Sequence, residues 1–189
     1  WRDPLGGVSL RVTTFSWGVG AALQFVVLVW AQSHAGLTLQ HGAYLQGLVA
    51  LGVIGGAAMA AFTSRIFRAR KQMVWAMVLG LLMPALALTK SLWLAVPMLL
   101  LAGWAGGMLL VPMNALLQHR GHKIMPPGRS IAVQGFNENL SVLLVLGIYS
   151  LLVSWEWPLL VIMLCLSLPL WIAVVPWRRR GAQLDSTLS

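Results

Sequence analysis

Six long apolar stretches separated by short polar ones set the pattern of this chain. They fall at about 12–31, 42–62, 73–89, 92–117, 130–153 and 158–177. Runs of about 20 apolar residues match the hydrocarbon thickness of a bilayer. Backbone polar groups in hydrocarbon must pair within their own segment, so each run predicts a helix. Residues 1–11 read as a basic amphipathic lead-in, and residues 178–189 as a polar, disordered tail. Pro158 suits a first helical turn, where its missing N–H would have no partner in any case. The expected fold class is an all-α membrane protein with six transmembrane helices in one bundle.

Composition agrees with this and removes other classes. Apolar residues make up 59% of the 189 and charged residues 9%, with a mean hydropathy of +0.81. Soluble domains carry about 25% charged residues, so no soluble domain is expected. A net charge of +9 and a pI near 11.4 would suggest nucleic acid on a soluble protein. Here they read as loop charge and attraction to anionic lipid headgroups, with no nucleic-acid partner. The single cysteine, Cys165, leaves no disulfide or CxxC metal site. No cleavable signal peptide is visible, and a start at Trp1 points to a cut from a longer chain.

The loops give an orientation. Arg2, Arg11, Arg65, Arg68, Arg70, Lys71, Arg120, Lys123, Arg129 and Arg178 to Arg180 fall on one side of the six runs, and only Lys90 on the other. The positive-inside rule then places both ends in the cytoplasm. Trp30, Trp93, Trp155 and Trp157 are expected at the outer interface, and Trp75 and Trp177 at the inner one. Trp17, Trp104 and Trp171 lie deeper and read as packing. Gly52-xxx-Gly56 and Gly103-xxx-Gly107 predict close helix contacts. Pro84, Pro97, Pro112 and Pro169 read as tolerated kinks.

Candidate chemistry is concentrated in the fifth run. Gln134, Asn137, Glu138 and Asn139 interrupt a segment otherwise rich in Ile, Val and Leu. A carboxylate at that depth costs about 2.5–3.5 kcal/mol on insertion scales. Gln134, Glu138 and Ser141 are spaced i, i+4, i+7 and share a face, which Asn137 borders. Such a stripe should turn toward the bundle or a wet cavity. It could hold a substrate headgroup, a cation or a proton, or it could only glue helices together. Asn114 and Gln118, at i and i+4 on the neighbouring run, could join the same cavity or simply be hydrated near the interface. Gln24, with Thr13, Thr14 and Ser16, puts polar groups in the first run; Gln24 is deep enough to need a partner and could line the substrate or ion pathway. His119 and His122 form an HxxH pair in a basic loop without a third ligand, so no metal is expected. The phosphate-loop, zinc-protease and serine-hydrolase motifs are absent, so no enzyme and no cofactor is expected.

The segments VPMNALLQHRG, IAVQ, ENLS and LGIYSLL, with Trp17-Gly18-Val19-Gly20, closely resemble the C-terminal half of the bacterial lysophospholipid transporters of the major facilitator superfamily. The resemblance runs from the first run to about Leu152. It implies spans seven to twelve of a twelve-span protein, with a six-helix N-terminal half as partner. It also implies transport of lysophospholipids such as lysophosphatidylethanolamine from the outer to the inner leaflet of the bacterial inner membrane, where an acyltransferase restores the diacyl lipid. Asn114, Gln118, Gln134, Glu138 and Asn139 match motif positions. Gln24 stands where arginine occurs in a relative, His119 where an acid can occur, and Pro126-Pro127 stiffens the loop between the fourth and fifth runs. TSRIFRARK is a degenerate form of the superfamily's loop signature. The alternatives are an exporter of drugs or other amphiphiles and a non-transporting membrane scaffold.

Overall fold

The structure is a computed structural model and describes residues 4–63, 69–124 and 126–185. Six helices follow in order: α1 (Pro4–Ala35), α2 (Leu39–Thr63), α3 (Ala69–Leu88), α4 (Leu92–Ile124), α5 (Pro127–Ser154) and α6 (Leu159–Asp185). There is no strand among the described residues. Among the described residues four stretches are long and apolar enough to cross a membrane: Gly6–Ser33, Leu39–Thr63, Leu92–Gly121 and Gly128–Ser154. The apolar parts of α3 and α6, Met73–Leu88 and Leu159–Val174, are shorter. The chain is a membrane protein built of helices.

Each helix overlaps one apolar run, but several extend beyond it. The expected lead-in is the start of α1, which begins at Pro4 and buries Val8, Ser9 and Leu10. The tail is helical through Asp185, so residues 178–185 are not the irregular segment expected. Arginine, alanine, glutamine and leucine are good helix formers, and one glycine among them does not stop the helix. The HxxH pair sits on α4 rather than in a loop, because that helix runs to Ile124. Arg65 and Arg68 lie outside the described residues.

The turns have local causes. Gly36 adopts φ +60°, and the Leu37 N–H donates to the Ala31 carbonyl at 2.9 Å. A glycine in the left-handed region just past the last turn is a common stop of a helix. α5 starts with Pro127 at its N-terminus, where proline's missing donor costs nothing.

α1 is the central helix and touches all five others. Val19, Ala22, Val26, Val27, Trp30 and Ala31 on α1 are fully buried. Around it, α2 packs on α4, α3 on α6, and α5 on α1. The α2–α4 contact is made backbone to backbone. A Cβ built on Gly52, Gly56, Gly103 or Gly107 would come closer than 3.0 Å to the carbonyl oxygen of Leu100, Trp104, Val49 or Val53 respectively. Both small-residue motifs therefore serve one intramolecular interface, whose close approach replaces side-chain interdigitation with dispersion contacts.

The tryptophans divide differently from the expected belt. Trp93, Trp155 and Trp157 are exposed, but Trp30 is fully buried and donates its indole N–H to the Thr89 carbonyl at 2.9 Å. An indole needs a polar partner when buried, and the end of α3 supplies one. Trp17, expected to pack, is 44% exposed.

Glycine contact at α2–α4 makes a direct prediction. Gly56→Val should lower the unfolding midpoint of the detergent-purified protein, with an overpacking cost of about 1–3 kcal/mol or more. Gly106→Ala should be neutral or mildly stabilising, because nothing lies within 4 Å of a Cβ there. Equal effects of the two substitutions, read by thermal unfolding, would contradict the packing described.

Candidate functional site

The α1–α5 contact sets the register of the site. Gly18 lies against α5: a Cβ there would sit 2.5 Å from Ser141 Oγ and 2.8 Å from Val145 Cγ2. Further along, the rings of Phe25 and Tyr149 are 6.2 Å apart. Both helices advance together, so they run parallel. The α5 residues facing α1 recur at Ser141, Val145 and Tyr149. Glu138 and Gln134 continue that row toward the α5 N-terminus, by the 3.6-residue repeat.

At that end three helices converge. Gln134 Nε2 donates to Glu138 Oε1 at 2.8 Å and to Asn114 Oδ1 on α4 at 3.1 Å. One residue earlier on α4, the Met113 carbonyl accepts the hydroxyl of Ser9 from α1. Consecutive α4 residues thus receive α5 and α1. α4 and α5 otherwise touch little; nearby, Gly121 sits so close to Ser130 that a Cβ would strike its hydroxyl. Asn114, Gln134 and Glu138 are all partly buried. The amide orients the carboxyl group.

The other expected residues are not drawn into this group. Asn137 donates to its own helix at the Val133 carbonyl, 2.7 Å away, and Asn139 is exposed and donates to Gly135 O at 2.8 Å. Neighbouring residues on a helix are 100° apart, so a cluster in sequence is spread around the axis. Gln118 is exposed on α4. Gln24 is exposed as well, and its side chain stands outside this group. Its backbone carbonyl accepts a bond from Gln46 Nε2 of α2 at 2.8 Å. Gln46 was missed in the sequence, yet it carried the same signal as Gln24: a lone amide within an apolar run.

Trp17, Gly20 and Gln24 share one open face of α1. Trp17 and Gln24 are exposed, and nothing lies within 4 Å of a Cβ at Gly20. This face falls between the direction of Gly18, toward α5, and that of Ser9, toward α4. The open side of α1 and the acid on α5 therefore belong to the same flank of the bundle. Among the described residues no three His, Cys, Asp or Glu side chains converge in a way that could hold a metal.

Comparison with known proteins finds named relatives. Over 155 residues the chain is 39% identical to the lysophospholipid transporter LplT of Klebsiella pneumoniae strain 342, covering 82% of this chain and 39% of the relative. The chain is a homologue of the bacterial lysophospholipid transporters. LplT of Salmonella arizonae is 36% identical over 190 residues, covering 96% of this chain and 47% of the relative. LplT of Shigella flexneri is 38% identical over 154 residues, covering 81% of this chain and 39% of the relative. The chain spans less than half the length of these relatives. They are named transporters, not enzymes. No family profile matches the chain, and no solved structure matches it.

The hydrogen bond between Asn114 and Gln134 should couple the two positions. A double-mutant cycle with Asn114→Ala and Gln134→Ala is expected to give about 0.6 kcal/mol of coupling, and at most about 1.7, as for polar pairs inside membranes. Strictly additive shifts in unfolding free energy would deny that this bond ties α4 to α5.

Proposed function

We propose that this chain is the C-terminal six-span half of a lysophospholipid transporter of the major facilitator type. It acts with an N-terminal half of six further spans to move lysophospholipids across the bacterial inner membrane. The observation that carries this reading is the Gln134 amide, which presents Glu138 among apolar helices beside the open face of α1. The name shared by the relatives supports the substrate class. The packing of α3 on α6 supports counting both among the six spans, and the one-sided loop charges support cytoplasmic ends.

A lysophospholipid has a polar head and a single acyl chain. Carrying the head through hydrocarbon unaided is costly because its charged and hydrogen-bonding groups lose water. The polar group on α4 and α5 replaces part of that hydration. The tail needs only apolar surface, which Phe136, Leu140, Leu143 and Leu144 on α5 and Leu51 and Ile54 on α2 present. The same exposed faces of α2 and α5 would receive the N-terminal half, since transporter sites form at the interface between repeats. Delivery to the inner leaflet would hand the lipid to an acyltransferase.

The test is uptake of labelled lysophosphatidylethanolamine by cells that depend on the full-length gene. Glu138→Gln keeps the shape and removes the charge. It should reduce uptake at least tenfold, the order of one charge-assisted hydrogen bond, with protein levels matched by immunoblot. Unchanged uptake would favour a scaffold role for the bundle.

A further inference from the structure

We propose that Arg11 and Glu138 are the two poles of one headgroup site, Arg11 taking the phosphate and Glu138 the ammonium of an ethanolamine-type lysolipid. The inference rests on the transport reading above and adds how the head is recognised. Arg11, Thr14 and Gly18 are spaced i, i+3, i+7 and form one row of α1. Gly18 faces α5 at Ser141 and Val145. Gln134, Glu138, Ser141 and Val145 form the matching row of α5. The helices are parallel, so extending both rows toward their N-termini brings Arg11 and Thr14 opposite Gln134 and Glu138.

The levels agree. From Gly18 back to Arg11 is seven residues, and from Ser141 back to Gln134 is also seven; each is about 10 Å of helix. Ser9 and Gln134 are tied to the adjacent α4 residues Met113 and Asn114, which fixes the same layer independently. Glu138 lies one turn above Gln134, about 6 Å along the axis. Arg129 is on a different face of α5, away from this row, and does not compete for the role.

Opposite charges thus share a layer without meeting. Among the described residues Arg11 and Glu138 form no ion pair. Arg11 Nε donates to the Gly7 carbonyl at 3.1 Å, and Glu138 Oε1 accepts from the Gln134 amide at 2.8 Å. Each pole keeps a neutral local partner and retains bonding capacity: the terminal guanidinium nitrogens on one side, the second carboxylate oxygen on the other. Between them on the α1 row, the hydroxyl of Thr14 is buried with no hydrogen-bond partner among the described residues. A buried orphan donor beside a guanidinium suits a phosphate, which guanidinium binds through paired N–H groups. The carboxylate suits an ammonium. A zwitterionic head carries both groups in the order the row presents them.

The two poles predict different selectivity, because every lysophospholipid has the phosphate and only some have the amine. Uptake of lysophosphatidylethanolamine and lysophosphatidylglycerol is measured in cells expressing the full-length transporter. Arg11→Gln should raise KM for both lipids about tenfold, the scale of one charge-assisted bond, with a smaller change in the maximal rate. Arg11→Lys should recover part of the loss. Glu138→Gln should raise KM for the ethanolamine lipid about tenfold more than for the glycerol lipid. An unchanged KM in Arg11→Gln, with wild type active, overturns this inference and leaves the transport reading standing. Equal effects of Glu138→Gln on the two lipids overturn it as well. A wild type that moves neither lipid overturns both readings. One measurement needs no variant: lysophosphatidylethanolamine should protect Arg11 from phenylglyoxal in the wild-type protein, read by mass spectrometry. Equal modification with and without lipid overturns the assignment.

Discussion

A single amide holds together the polar part of this bundle. The Nε2 of Gln134 has two hydrogens and gives one to Asn114 and one to Glu138. In water such bonds would be exchanged freely for bonds to solvent. In hydrocarbon the alternative is an unpaired polar group, so the exchange is suppressed. The carboxylate is thereby held in one orientation, and α5 is tied to α4 at a place where the two helices otherwise barely meet.

That tie matters because the rest of the bundle is held differently. α2 and α4 are joined where four glycines let the two backbones touch. α1 touches all five neighbours and buries one apolar side among them. α5 instead leans on α1 through Gly18, Ser141, Val145 and the Phe25–Tyr149 rings, and much of its surface is uncovered. An apolar scaffold thus carries a helix with an uncovered outer face that bears the acid. In the proposed transport cycle this is the arrangement a mobile polar cargo requires: fixed walls, and partners that bind without closing over one another.

Sequence reveals some of this and conceals the rest for physical reasons. The six helices are legible because hydrocarbon enforces long apolar runs, and the glycine motifs because small residues at i and i+4 serve few other ends. Helix limits are less legible. α1 and α6 continue through charged residues that are good helix formers, where composition changes but backbone preference does not. Depth along a run is readable, but the direction a side chain faces is not. Trp30 and Trp93 both read as interfacial, yet tertiary packing buries the first and leaves the second exposed. Gln134 and Glu138 meet Asn114, whereas Asn137 and Asn139, equally polar and equally near in sequence, turn back on their own helix. The depth of Gln24 predicts a partner for its side chain, yet it is exposed, and Gln46 makes the helix contact.

The central claim is that the α1–α5 row bearing Glu138 receives the lipid head. Its most direct measurement is photocrosslinking in vesicles containing the full-length transporter. The probe is a lysophospholipid with a photoreactive group in its head, and the labelled peptides are mapped by mass spectrometry. The account predicts labels on α5 between Gln134 and Ser141 and on α1 between Arg11 and Gly18, reduced by excess unlabelled lysolipid. Labels confined to the lipid-like surfaces around Leu143, Ile148 or Phe62, and insensitive to competition, would contradict it.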